Sequence, residues 1–221
     1  MKSTIIIGRE KFSQNEIFNN LNFYLTLHST KKNESKLENV GGSSYFYLQS
    51  GTACIKTNSL NAQISEGMYF SINGPGVITL NEKSKAIQIF VKNFSSLNTL
   101  GGPVEEIGRL SYIDGCSDSL LLSPSRLGEP CLNLLHFPVH TKQTSHHHPS
   151  FRFGIVLSGS GNCVSDAKTE KLNTGDVFYI PPFVKHKFDT EEECMNIIAF
   201  HPDSDWGPTD EIHPMINRTI I

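Results

Sequence analysis

The chain reads as an all-β protein built from one fold written twice, and three observations carry that reading. Short runs rich in aromatic and β-branched residues recur along its length, each bounded by Gly, Pro, Asn or Ser. Helical periodicity is scarce. The two halves also match at one fixed offset: adding 108 places Leu27-His28 on Leu135-His136, Ser50-Gly51 on Ser158-Gly159, Gly67 on Gly175 and Ile72 on Ile180. No gap is needed in that register between positions 27 and 199.

Taken in order, the first strand signal is 4–7 (TIII), which is expected to add to the sheet edge of a second copy and so favours a homodimer. The first half continues with strands at 45–48, 68–72 and 86–91. The segment 93–130 is rich in Gly, Ser and Pro and is expected to join the halves. Its stretches 109–113 and 120–122 are ordered enough to supply leading strands to the second half. Strands at 153–157, 177–180 and 195–200 complete that half. The expected organisation is an N-terminal domain over 1–92, a connector over 93–130, and a C-terminal domain over 131–221 that ends in a polar arm.

Composition excludes several classes of function. A hydrophobic share of 38% and a mean hydropathy of −0.24 describe a soluble globular chain. The formal charge of −3 offers no basic surface to a polyanion, so nucleic acid is not an expected partner. No apolar run approaches the roughly 18 residues of a membrane span, and residues 1–8 hold too short an apolar core for a signal peptide. The cytoplasm is therefore the expected address. Five cysteines at 54, 116, 131, 163 and 194, without a CxxC pair, point to apolar filler in strands; Cys163 and Cys194 lie in strand-like runs.

Chemistry gathers in the second half. His146 and His148 stand two apart, so on extended backbone they face the same side, and His186 follows a strand that ends in Ile180-Pro181-Pro182. Three imidazoles suit a transition metal such as zinc, iron, copper or nickel. His147 alternates outward and is not an expected ligand; His136 and His140 are expected to be structural. In the first half, the fixed offset puts Glu38, Val40 and Ile78 at the three histidine positions, so no ligand set is expected there.

The sequence 146–159 (HHHPSFRFGIVLSG) resembles the first motif of the cupin superfamily, and 175–190 (GDVFYIPPFVKHKFDT) resembles the second, with spacing kept in both. Three positions depart from the pattern. Arg152 stands where the family usually places a metal-binding Glu, Phe183 replaces the turn glycine, and Thr190 replaces the terminal Asn. A guanidinium cannot lose its proton and cannot ligate a cation, so a three-histidine centre remains. The resemblance implies duplicated cupin barrels of the jelly-roll type, a bicupin, with the metal motif in the C-terminal copy only.

Three neutral imidazoles leave a divalent ion's charge uncompensated, which favours an anionic ligand. By strand alternation Arg152 is expected on the inward face with the histidines, where it is either an anion anchor or the partner of an internal acid. Tyr179 is the candidate base beside the second motif. Cupins with three-histidine iron centres include dioxygenases, so the resemblance implies oxygen chemistry on a small anion with Fe2+ favoured, one divalent ion per chain. A non-redox isomerase, epimerase or lyase on Zn2+, Mn2+ or Ni2+, or a small-anion binding module without catalysis, are the alternatives. The arm 201–218 is read either as a lid bringing His201, Asp203 or Asp205 to the barrel mouth, or as an outer appendage held by Trp206 and Met215.

Overall fold

The computed structural model describes residues 6–8, 22–30, 35–213, 215 and 219–220. The strands, in chain order, begin with β1 (Ile6–Gly8), β2 (Phe23–Ser29), β3 (Ser35–Asn39), β4 (Gly42–Ser50), β5 (Thr52–Thr57) and β6 (Asn61–Ser65). Next come β7 (Tyr69–Asn73), β8 (Gly76–Leu80), β9 (Lys85–Lys92), β10 (Thr99–Gly101), β11 (Leu110–Ser111) and β12 (Ser117–Leu122). The last are β13 (Cys131–Phe137), β14 (Arg152–Ser165), β15 (Thr169–Asn173), β16 (Val177–Ile180), β17 (His186–Asp189) and β18 (Met195–His201). No helix among the described residues is long and apolar enough to cross a membrane.

The chain divides into two compact units, Glu10–Glu105 and Met1–Arg9 with Glu106–Ile221. The first unit is a five-stranded sheet, β10-β7-β4-β9-β2, and a four-stranded sheet, β3-β8-β5-β6. Its core is Phe46, Leu48, Ile55, Phe70, Ile72, Ile78 and Leu80, all nearly or fully buried. The second unit curls one sheet, β1-β16-β14-β18-β13-β12-β11, with β15 and β17 both paired to the long strand β14. Phe137, Val156, Cys163, Leu172, Met195 and Ile197 fill it. The fold is thus all-β, two cupin-type barrels.

Residues 93–105 close the first unit, with β10 on β7, and 106–130 open the second with β11 and β12. The N-terminal strand β1 pairs with β16 of the second unit, Ile6 opposite Tyr179 and Gly8 opposite Val177. It therefore covers an edge of this chain's own sheet. Thr4 and Ile5, the rest of that expected strand, lie outside the described residues.

Strand pairing also corrects the ungapped register. The offset of 108 holds where β4 and β14 carry the same bulge, at Leu48/Ser50 and Val156/Ser158, and through Ile72 and Ile180, which pair with Ser44 and Arg152. It fails in the next turn. Thr57 pairs with Gly76, whereas its counterpart Ser165 pairs with His186, so the turn after Ile180 is two residues longer than the turn after Ile72. The counterpart of His186 is Gly76, not Ile78. His146 bridges His186 as Asn39 pairs with Gly76, so Asn39, not Glu38, is the counterpart of His146. By the same reading Ser44 answers Arg152, Gln88 answers Ala199, and His28 answers Leu135.

The candidate metal centre

The first two histidines do not sit on a regular strand. His146 makes an isolated bridge to His186, donating its N–H to the His186 carbonyl at 2.9 Å and accepting the reverse bond at 2.8 Å. Pro149, which has no N–H to offer, follows, and regular pairing resumes only at Arg152. The backbone is extended enough for positions 146 and 148 to share a side. The ring centroids of His146, His148 and His186 stand 4.8 to 5.3 Å apart. One nitrogen from each lies within 4.8 Å of the other two. His147 is exposed and turns its ring toward Phe183 instead, centroids 6.4 Å apart.

The donor set fits a transition metal in tautomer as well as in residue type. The Nδ1 of His146 is 2.9 Å from the Thr144 carbonyl and that of His186 is 2.8 Å from the Val184 carbonyl. A carbonyl only accepts, so each Nδ1 carries the proton and each Nε2 keeps its lone pair for an ion. Burial, with Arg152 close by, pushes His148 down to about 3; burial likewise brings His186 to about 4. Both rings are neutral at physiological pH, the state that ligates.

The three rings line a cavity of about 220 Å³ in the second unit. Its walls are largely apolar, with Leu135, Phe137, Phe178, Ile180 and Phe188. Arg152, Asp118, Asn133, Tyr112, Gln143 and His201 supply further polar groups. Arg152 is therefore inward, as alternation requires. Its Nη1 donates to Ser150 Oγ at 2.6 Å, to the Phe151 carbonyl at 2.8 Å and to the Ser150 carbonyl at 3.3 Å, and lies 3.9 Å from Asp203 Oδ1. Its Nε is buried and makes no hydrogen bond.

Tyr179 does not join this site. On β16 the alternating Phe178 and Ile180 face the cavity, so Tyr179 takes the opposite face and packs between Phe151 and Phe153, at 5.8 and 5.5 Å. The acid and phenol that line the cavity are Asp118 and Tyr112, which come from β12 and the turn before it. Burial raises both, while the Asn133 amide, donating to Asp118 Oδ2 at 2.7 Å, pulls the acid partly back. His201, at the end of β18, is driven well below the ordinary imidazole range by burial and by Arg152. Sequence reading passed over Asp118, Tyr112 and Asn133 because they lie outside both motifs. The available signal was their spacing: Asp118 and Leu120 alternate on a strand that leads into the half bearing the histidines.

His136 Nδ1 meets Asn196 Oδ1 at 2.7 Å, and Asn196 in turn donates to the Glu106 carbonyl, a bracing contact outside the cavity. Cys163 is fully buried and pushed up to about 12 by that burial, but Cys194 is exposed in the turn before β18, so it is not filler. Trp206 and Met215 are 68% and 75% exposed and hold nothing down. The arm is instead held by backbone bonds, Gly128 N to the Ser204 carbonyl and Leu127 N to the Pro208 carbonyl, and by the Arg126–Asp210 ion pair. Residues 214 and 216–218 of the arm lie outside the described residues.

In the first unit the corresponding positions carry side chains bonded to one another. His28 bonds Gln88 at 2.9 Å, Gln88 donates to Ser44 at 2.7 Å, and Ser44 donates to Asn39 at 2.6 Å. These are the counterparts of Leu135, Ala199, Arg152 and His146. A hydrogen-bonded chain thus occupies positions that line the cavity in the second unit.

The cupin domain family model matches residues 133–199, the stretch that holds the three histidines and Arg152. No curated protein matches the chain. Among solved structures, it is similar to a Cupin 2 conserved barrel domain protein from Leptotrichia buccalis, at 20% identity and a TM-score of 0.62, over 90% of this chain and 89% of that one. It is also similar to a salicylate 1,2-dioxygenase variant from Pseudoaminobacter salicylatoxidans in complex with gentisate, at 10% identity and a TM-score of 0.65, over 81% and 68%. A third similar structure is Bacillus subtilis oxalate decarboxylase, described for its Mn(II) centres, at 12% identity and a TM-score of 0.58, over 86% and 71%. At these identities the likeness establishes the fold alone.

Proposed function

We propose that this chain is a metal-dependent bicupin, with one divalent transition metal held by His146, His148 and His186 of the second barrel and none in the first. Its reaction is an oxygenation of a small anionic metabolite, with Fe2+ as the metal and Arg152 as the anion anchor. The observation that carries this reading is the meeting, in one apolar cavity, of three imidazoles, two of them with Nε2 left free by Nδ1 bonds to backbone carbonyls, and a guanidinium with an unpartnered Nε.

When bound, the ion supplies Lewis acidity and redox capacity at a centre with open positions. The protein does the rest. Thr144 and Val184 fix the tautomers of two ligands through their carbonyls. Arg152 orients the anion, and the Phe178, Phe188 and Ile180 walls exclude water, so the charges inside act at low dielectric.

A specific observation favours a second reading, a non-redox isomerase or lyase on zinc, manganese or nickel. Such a reaction needs a group that moves a proton, and Asp118 lines the cavity with its acidity weakened by burial.

Metal content by mass spectrometry of protein purified under nitrogen, followed by oxygen consumption with small carboxylates and enolates, separates the two. Iron near one per chain with substrate-dependent uptake supports the oxygenase. Zinc, manganese or nickel without uptake moves the assignment to the second reading. His146→Ala, His148→Ala and His186→Ala should each lower bound metal at least about tenfold, with His147→Ala as the neutral control.

A further inference from the structure

The arm that follows β18 delivers a carboxylate to the anion anchor. Asp203 Oδ1 accepts a hydrogen bond from Ser150 Oγ and stands 3.9 Å from Arg152 Nη1, which itself donates to the same Ser150 Oγ. The Asp203 side chain is 51% exposed and that of Arg152 only 12%, so the acid lies on the solvent side of the cation. Asp203 does not line the cavity; Arg152 does.

The three closer acceptors on Nη1, all from Ser150 and Phe151, are enough to orient the guanidinium without Asp203. What Asp203 adds is charge. A planar guanidinium has two edges that can hold a carboxylate in a fork. The edge that includes Nη1 is engaged by Ser150, Phe151 and Asp203, which leaves the edge made by Nε and Nη2. Nε is buried and without a hydrogen-bond partner, and Arg152 lines the cavity, so a ligand carboxylate that reaches this edge from the cavity completes its donors.

We propose that Asp203 is a specificity-determining residue that sets the charge the cavity accepts. One carboxylate on the free edge satisfies Arg152; a second carboxylate within the same 220 Å³ meets a cation already countered by Asp203, with the acid Asp118 on another wall. The ligand class is therefore a small monocarboxylate with an apolar body that suits the Leu135, Phe178 and Phe188 walls. This inference rests on the reading of Arg152 as the anion anchor.

The test is the affinity of butanoate and succinate, two probes of equal chain length, for the metal-loaded protein by titration calorimetry. The wild type should prefer butanoate. Asp203→Asn should raise succinate affinity roughly tenfold relative to butanoate, the scale expected for removing one like charge several ångströms away at a partly exposed site. A ratio unchanged by Asp203→Asn, or a wild type that prefers succinate, overturns the proposal. Weaker binding of both probes in Asp203→Asn also overturns it, because it would make Asp203 a positioning residue for Arg152. Arg152→Gln separates this from the underlying reading: if neither probe binds the wild type, or if Arg152→Gln leaves binding unchanged, the anion anchor itself fails and this proposal falls with it. If Arg152 matters and Asp203 does not, only the charge selection fails.

Discussion

Three imidazoles of the second barrel are held neutral by their surroundings, and that has a consequence for the metal-free protein. Burial is the largest cause for each: His148 is pushed down to about 3, His186 to about 4, and His201 well below its ordinary range. In the unfolded chain all three titrate near 6.5. The unfolded state therefore binds more protons as pH falls below about 6.5, so the stability these rings contribute is whole above that pH and is lost progressively toward the folded values. Calorimetric scans of the metal-free protein should show its midpoint falling by at least about 4 °C between pH 7 and 5.5, before carboxylates titrate. The metal-loaded protein should fall at least as steeply, because metal-bound rings take up no proton while the unfolded chain still does. A flat profile in the metal-free protein would mean that water reaches the rings. At this scale the sequence was readable where chemistry is local. The His-x-His spacing forces two rings to one side whether or not a ladder forms, and the guanidinium at 152 could not have been a ligand. Tyr179 was misread because nearness to a motif was weighed above alternation, which puts Phe178 and Ile180 inward. Asp118 was missed because only tertiary pairing brings β12 beside the histidines.

The turn between β16 and β17 shapes the candidate site, since it carries the chain from the cavity wall at Ile180 to His186. Phe183, in the place of the family's glycine, has φ of 60°, a left-handed conformation that costs a non-glycine residue about 1–2 kcal/mol. Its side chain is 69% exposed and its nearest ring contact is His147, itself exposed. The backbone holds it there, because the Phe183 N–H donates to the His148 carbonyl at 2.8 Å and ties the turn to the segment that carries His146 and His148. Phe183→Gly should therefore stabilise the fold by about 0.5–1 kcal/mol in urea denaturation, after allowance for the glycine's greater freedom when unfolded. A loss of stability would show that the Phe183 ring packs more strongly than its exposure implies. Thr190, the other substituted loop position, is fully buried and takes up the bonding role: its hydroxyl accepts from Thr141 N at 2.9 Å and donates to the Pro138 carbonyl. The two added residues in this turn explain the misplacement of Ile78; that of Glu38 comes from the stretch between His146 and Arg152, one residue longer than that between Asn39 and Ser44. Asn73-Gly74-Pro75 and Pro181-Pro182-Phe183 look alike as turn signals, and the register matches through Ile72 and Ile180, so nothing before the turn reveals that the second is longer.

For the whole molecule, duplication was legible and division of labour only in outline. Positions that line the cavity of the second barrel are taken in the first by the chain His28–Gln88–Ser44–Asn39, whose members satisfy one another. Replacing ligands alone could not turn the first into the second, since Gly76 at the His186 position sits on a shorter turn. The division also assigns β1 to the second unit, and this gives the N-terminal segment a task that the sequence suggested for a partner's sheet. Opposite β1, strand β16 contributes Phe178 and Ile180 to the cavity wall; beyond β1 the sheet has no further strand among the described residues. With β1 present, the row of backbone donors and acceptors along Val177–Tyr179 is paired within the chain. Deleting residues 1–8 would open that row on a strand rich in β-branched and aromatic residues, the kind of edge that pairs with other chains. The truncated protein should show a lower unfolding midpoint than the full chain and a concentration-dependent rise in mass by light scattering. If it stays at the full chain's mass and stability, β1 is not what protects the edge, and the arrangement of β16 must be secured by its pairing with β14 alone.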